Sequence, residues 1–489
     1  MRSITIMYDS LNRHMLSSYG SCESITPNFQ RLAEHCVTYD RFYCGSMPCI
    51  PARRELHTGR YNFLHRSWGP MEPYDQSVFQ QLSENGIYTH FVSDHAHYWQ
   101  EGGLNYHTRF SSCEFIRGQE GDMWQGETLG YTGPLDLKRQ DAVNRSHMQN
   151  EEDFPHVRAF RAGMDFLEKN WKNDNWHLHL EYFDPHEPFY VPEKYKKMYD
   201  ERISALDWPP YALAEDDEET KQFRANYLAL LTMCDTYLGY VLDFMDEHDM
   251  WNDTMLMINT DHGFLLGEHG YYAKNYMPTY DELCHLPFFL WDPVSGKKGE
   301  RNQQLVQTID LAPTLLEFHH QQIPKEMQGE SLLSNVRKNV PLLRKYALFG
   351  SFGKHVNITD GRYVYMRAGR KEILNNYTLM PTHIFTPFSV EELRDIDREM
   401  TDQFSFTNGI PLMKIPASSA TSPNNSCYWY DQHMQYGDLL YDLETDPCQT
   451  KVVHDEAVEA RMKQALISML DASEAPAEQY VRLNLKGEN

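Results

Sequence analysis

Four short apolar runs in this chain each lead into an aspartate. Ser3 to Tyr8 ends at Asp9, Tyr88 to Val92 at Ser93-Asp94-His95, His177 to Phe183 at Asp184-Pro185-His186, and Thr254 to Asn259 just before Asp261-His262-Gly263. Runs of this length bounded by polar residues predict buried strands. Helical patterns alternate with them. Thr26-Pro27 is an N-cap with proline at the first helical position, and Phe29, Leu32, Ala33 and Cys36 follow at helical spacing. Ser77 to Asn85, Val157 to Trp171, Glu218 to Glu247 and Thr308 to His319 repeat the pattern. A further strand is predicted over Leu286 to Trp291. Strand–helix alternation dictates an α/β fold, a large mostly parallel sheet with helices on both faces. Ligands bind such sheets outside the carboxyl ends of the strands, so the four aspartates can converge.

Beyond about residue 340 the texture changes. Tyr346 to Phe352, His355 to Thr359 and Tyr363 to Arg367 are short strands separated by Gly or Asp-Gly turns, the pattern of an antiparallel sheet. Asp455 to Leu470 predicts a helix packed on it, and 417–426 is a low-complexity loop. The expected division is residues 1–340 for a catalytic domain and 341–489 for a smaller C-terminal α+β domain. The stretch from Trp99 to Ala142, rich in Gly, Tyr, Trp and charge, is a long ordered insertion, a usual place for function.

One further segment carries chemistry. Cys49-Ile50-Pro51-Ala52-Arg53 runs through Leu56 to Thr58-Gly59-Arg60, and it places a thiol at the mouth of a short helix that Gly59 can close. Free N–H groups there and a nearby guanidinium form an anion site and lower the pKa of the thiol. The chemistry suggested is a cysteine-derived group facing a sulfate or phosphate ester.

The net charge of −25, from 70 acidic and 45 basic residues, argues against nucleic acid as a partner and against a long polyanionic glycan. A single sulfate in a locally basic pocket remains compatible, because a focused site can oppose the global field. With 41% hydrophobic and 13% aromatic residues the chain can bury a sizeable core. No uninterrupted apolar run approaches the roughly 20 residues of a membrane span, so no membrane partner is expected. MRSITIMYDS lacks a basic-then-apolar leader pattern, and the nine cysteines include no Cys-x-x-Cys pair. A cytoplasmic protein with reduced thiols is the expectation.

Cys-x-Pro-x-Arg followed by Leu56, Thr58, Gly59 and Arg60 resembles the signature of the type I sulfatases, within the alkaline phosphatase superfamily. Asn259 to Gly263, then Gly267-Glu268-His269-Gly270 and Lys274, resembles that family's metal-binding segment, Asp184 to Pro188 its Pro-His-x-Pro segment, and Tyr441 to Pro447 its C-terminal turn. The resemblance implies that Cys49 is oxidised to formylglycine by a formylglycine-generating or anaerobic sulfatase-maturating enzyme. It implies one divalent cation held by Asp9, Cys49, Asp261 and His262. Oxygen-rich ligation favours Ca²⁺ or Mg²⁺, and the imidazole keeps Mn²⁺ open. It further implies that Arg53 steadies the site, that His186 and Lys274 protonate the leaving oxygen, and that His95 or His97 helps regenerate the aldehyde. The substrate implied is a small sulfated alcohol, such as a sugar sulfate.

Two departures from the family pattern stand out. Ser10 replaces the second of two adjacent aspartates, and Ser93 to His97 lacks the lysine of Gly-Lys-x-x-His. Both are similar to phosphonate monoester hydrolases, so a phosphonate monoester or phosphate diester hydrolase is the alternative, as is an unmodified, inactive relative. His95 and His97 also fit a structural pair. Lys354-His355, between Gly353 and a strand, either reaches the pocket rim to bind substrate or is structural.

Overall fold

The computed structural model describes residues 1–133, 136–199, 205–370, 374–395, 399–416 and 432–485; the low-complexity stretch 417–426 lies outside them. The first apolar run, Arg2–Tyr8 (β1), lies in the middle of an eight-stranded sheet and is buried at every position after Arg2. In chain order the others are Val37–Tyr43 (β2), Tyr88–Ser93 (β3), Ser112–Phe115 (β4), Trp176–Tyr182 (β5), Thr254–Thr260 (β6), His285–Trp291 (β7) and Glu300–Gln307 (β8). Their spatial order is β8-β2-β7-β6-β1-β5-β3-β4. All neighbours are parallel except β7, which runs against both β2 and β6. The sheet is thus mostly parallel, as the alternation predicts. Edge strand β8 has no apolar run to announce it, because its first half, Glu300 to Gln304, is largely solvated.

Helices cover both faces. Ile4, Ile6 and Tyr8 point into one layer with Phe29 of Pro27–His35 (α1), Leu167 of Pro155–Asn170 and Leu238 of Asp217–Glu247. Met7 points into the other, with Leu56 of Cys49–Thr58 (α2), Leu82 of Val78–Glu84 and Leu315 of Leu311–Phe318. The period-2 alternation of β1 therefore serves two apolar cores. Helix Asp217–Glu247 is by length and composition able to cross a membrane, a possibility no uninterrupted run discloses. Its most apolar window is 83% buried within the fold, as befits a core helix.

Register places the site. Tyr8 is level with Tyr182 on one side and Thr260 on the other. Asp9, Phe183 and Asp261 therefore leave the sheet together.

The smaller sheet has the order Leu439–Asp442, Tyr363–Arg367, Val356–Thr359, Ala347–Ser351 and Ser46–Met47. Its C-terminal strands are antiparallel, and Met462, Leu466 and Leu470 of helix Glu456–Ala472 pack on Leu348, Ile358 and Tyr365. The fifth strand comes from the chain just before Cys49 and pairs in parallel, Ser46 with Gly350 and Met47 with Ser351. A second small sheet, Asn375–Thr378, Leu412–Pro416 and Glu399–Thr401, lies beyond the predicted strands.

A candidate active site at the strand ends

Helix α2 begins at Cys49 behind Pro48 and ends at Gly59, whose φ of 60° lets its N–H reach Glu55 O at 2.8 Å. Every residue of α2 is buried, so the helix drives its own polar side chains into the protein. Arg53 is the consequence. Its Nη2 donates to Asp9 Oδ2 at 2.9 Å, Nη1 to Asp261 Oδ2 at 2.7 Å and Nε to Glu181 Oε1 at 2.8 Å, with all four side chains at 0% exposure. Tyr98 Oη donates to the other Glu181 oxygen at 2.7 Å. A planar fork with five donors suits three carboxylates in a way a lysine cannot.

One ligand atom from each of Asp9, Cys49, Asp261 and His262 falls within 4.8 Å of the other three. His262 Nδ1 donates to Gly263 O at 3.0 Å, which turns the Nε2 lone pair toward Cys49 Sγ at 3.3 Å and Asp261 Oδ2 at 3.2 Å. A backbone acceptor on the far nitrogen is the usual way a metal-ligating imidazole is oriented. Gly263 is required by close packing, since a Cβ there would lie 1.8 Å from Glu282 O. Three buried carboxylates around one guanidinium leave an excess of negative charge, and these oxygen and nitrogen donors fit a divalent cation.

Electrostatics differentiate the groups. Burial opposes ionisation of Asp9, but the charges of Arg53 and Lys274 outweigh it and hold its carboxyl well below the usual range. Burial and the charge of Asp9 push Asp261 up to about 7. Burial, joined by Asp9 and Asp261, drives the Cys49 thiol well above its ordinary value. This reverses the lowered pKa expected from the helix N-terminus; desolvation of the thiolate exceeds the pull of the helix and of Arg53.

Beside the cluster opens a cleft of about 410 Å³ whose walls include Cys49, His97, His186, Lys274 and Lys354. Lys274 Nζ donates to Ser10 Oγ at 3.1 Å and lies 3.8 Å from Asp9 Oδ1. Burial disfavours its charge, but Cys49, Glu187 and the site carboxylates raise its pKa above the ordinary lysine value. His186 Nδ1 donates to Glu187 O at 2.6 Å, and its Nε2 lies 4.0 Å from Asp9 Oδ1. Burial and the charge of Lys274 hold this imidazole neutral. His97 lines the cleft and pairs through Nδ1 with Gln100 Oε1, and burial lowers it to about 4. His95 lies behind the cluster rather than on the cleft wall, fully buried, with Nδ1 3.8 Å from Asp9 Oδ2. Lys354 reaches the cleft, whereas the neighbouring His355 is directed away and meets Gly437 O at 2.9 Å.

Several residues escape the sequence reading. Glu181 is the third carboxylate on Arg53, and a glutamate inside the apolar run of β5 is a signal that could have found it. Ser10 supports Lys274, while Glu120, Glu187 and Tyr211 line the cleft. Only the fold assembles these.

Carboxylates and an imidazole meet at parallel strand ends, with a helix-borne cysteine held against them. Comparison with known proteins gives the class. The chain belongs to the sulfatase family, whose profile matches residues 3–319; the profile of the N-sulphoglucosamine sulphohydrolase C-terminal region matches residues 267–372. It is 30% identical over 412 residues to the N-acetylglucosamine-6-O-sulfatase of Bacteroides thetaiotaomicron, covering 71% of this chain and 73% of that one. A solved structure in complex with its substrate D-glucosamine-2-N,6-O-disulfate shares the fold at a TM-score of 0.68 and 16% identity, covering 97% and 98% of the two chains. So does the phosphonate monoester hydrolase of Agrobacterium radiobacter, at 0.63 and 17%, covering 97% and 95%. The protein is a sulfuric ester hydrolase.

Proposed function

We propose that the protein hydrolyses the sulfate monoester of a sugar or another small organic alcohol, using formylglycine made from Cys49 and one divalent cation. The observation that carries this reading is the meeting of Cys49, Asp9, Asp261 and His262 within 4.8 Å, beside a cleft that holds His186 and Lys274. Asp9, Asp261, His262 and residue 49 would hold the cation, with Ca²⁺ the first choice and Mg²⁺ or Mn²⁺ the others. When bound, it supplies Lewis-acid polarisation at residue 49. Formylglycine, once made, supplies a hydrated aldehyde as nucleophile. Cys49 is 2% exposed, so the maturating enzyme acts before α2 packs into the fold.

The remaining roles belong to the chain's own side chains. Arg53 fixes Asp9 and Asp261 in orientation. Lys274, on the cleft wall beside Asp9, neutralises the sulfate and gives its proton to the departing alcohol oxygen. His186 stands beside it with Nε2 toward the same space. For the proton that must leave residue 49 when the aldehyde is restored, His97 has the cleft position and His95 the place behind Asp9.

Intact-mass measurement and a substrate panel test the proposal together. Conversion of Cys49 and release of inorganic sulfate from sugar or alkyl sulfates, abolished in Cys49→Ala, is the expected result. Faster turnover of phosphonate monoesters than of any sulfate ester would transfer the chain to the alternative chemistry. An unconverted Cys49 in active protein would end the formylglycine mechanism.

A further inference from the structure

The wall of the cleft beyond Lys274 carries an arrangement that sulfate binding leaves unexplained. Glu187 is 1% exposed and lines the cleft. Its Oε1 accepts from Tyr211 Oη at 2.6 Å. Its Oε2 lies 3.1 Å from His186 Nδ1, but that nitrogen is directed to the Glu187 carbonyl, and Oε2 is left buried without a donor. Glu120 lines the same wall from a left-handed backbone, φ 50°, which a non-glycine residue adopts at some cost. Burial and the nearness of Glu187 push its carboxyl up to about 8. Two carboxyl groups thus face one apolar cleft.

Lys274 and Lys354 line the same cleft, and a bound sulfate claims Lys274. A neutral alcohol brings Glu120 and Glu187 no partner in place of Lys274, whereas an ammonium group can ionise Glu120 and pair with both carboxylates. The other walls favour the same kind of group. Trp68, Trp208, Phe352 and Phe385 line the cleft with aromatic side chains. A carboxylate combined with aromatic faces is the chemistry that holds organic ammonium ions. The net charge of −25 also draws a cationic or zwitterionic ester inward and repels a polyanion.

We propose that the cleft selects sulfate esters of alcohols that carry an ammonium group, an amino sugar with a free amine or a quaternary amino alcohol, through Glu120, Glu187 and the aromatic walls. The proposal rests on the sulfatase reading and specifies its substrate class. Glu120 is a specificity residue here, outside the reacting cluster.

Matched pairs of esters test it on the full-length, matured protein. Choline sulfate is compared with its carbon isostere 3,3-dimethylbutyl sulfate, and glucosamine 6-sulfate with N-acetylglucosamine 6-sulfate. The cationic member of at least one pair should show about tenfold or greater kcat/KM, the scale of a desolvated cation–aromatic contact. Glu120→Gln should shrink that ratio to about threefold or less, whatever its effect on the neutral ester alone. Equal or better use of the neutral member in both pairs, or an undiminished ratio in Glu120→Gln, overturns the proposal. Calorimetric titration with tetramethylammonium needs no turnover and no variant: saturable binding that inorganic sulfate does not abolish is expected, and no binding refutes it. Failure to release sulfate even from an activated aryl sulfate would instead count against the sulfatase reading.

Discussion

Arg53 Nη1 donates to Asp261 Oδ2 at 2.7 Å, and neither side chain reaches solvent. The same guanidinium holds Asp9 and Glu181, so one cation organises three carboxylates from three adjacent strands. Its removal leaves like charges buried together. Arg53→Ala should therefore destabilise the fold by about 3–5 kcal/mol as well as abolish turnover, the scale for breaking a buried ion pair. Urea denaturation is the measurement, and a midpoint equal to wild type would show that these carboxylates are neutral or otherwise compensated. Arg53→Lys should rescue only part of the loss, since an ammonium cannot serve three partners at fixed angles.

Asp261→Asn and His262→Ala should each lower bound divalent metal and activity together. Elemental analysis of the purified variants checks this, and stoichiometric metal in both would displace them as ligands. A ligand that binds only the folded state adds about 2.7 kcal/mol at a hundredfold excess over Kd, so a chelator should lower Tm in wild type. In the two variants the same chelator should have a smaller effect.

Lys274 carries a proton where His186 is held neutral by burial and by that same charge. Lys274→Ala should lose more kcat/KM on a sugar or alkyl sulfate than on an activated aryl sulfate. An alkoxide needs a proton to depart, a nitrophenolate hardly does, and general acid assistance is worth about 10²–10⁴-fold. His186→Ala should show the same bias to a smaller degree. Equal losses on both esters would make Lys274 a sulfate-binding residue only.

Glu55 predicts a pH effect from a residue outside the reacting cluster. It is fully buried on α2 and accepts from Ser46 N at 2.6 Å and from the Thr308 hydroxyl. Burial nevertheless prevails over these donors and pushes it from 4.5 up to about 7. Because the folded value is the higher one, its stabilising contribution is complete below about pH 4.5 and is lost as pH rises toward 7. Over that window stability should fall by up to about 1.4 kcal/mol per pH unit from this group, and level off above it. Urea titrations from pH 5 to 8 should show a shallower slope in Glu55→Gln than in wild type. Parallel slopes would mean Glu55 is ionised throughout.

Much of this protein can be read from local pattern. The apolar run of β1, the helical stripe of α1 and the Cys49-to-Gly59 segment depend on side-chain period and on one residue that tolerates φ of 60°, and such information is written in neighbouring residues. The aspartates that end the strands were legible for the same reason, because in a parallel sheet the chain direction decides where they emerge. Register was not legible, and it is register that sets Asp9 level with Asp261. Nor was the reversal of β7, or the pairing of Ser46–Met47 with Ala347–Ser351 across the predicted domain boundary. Each depends on contacts between segments far apart in the chain.

The same division runs through the site. Cys49, Asp261 and Lys274 announce themselves by spacing, yet what they do is fixed by surroundings that no spacing encodes. A thiol at a helix N-terminus reads as acidic in sequence; in the fold, burial beside Asp9 makes it the reverse. Glu187, one residue after His186, gives no sign in the sequence of a buried oxygen without a donor. Sequence by itself determined which side chains exist at which strand ends. Tertiary structure decided their charge, because desolvation and the field of distant groups arise only when the chain has closed around them.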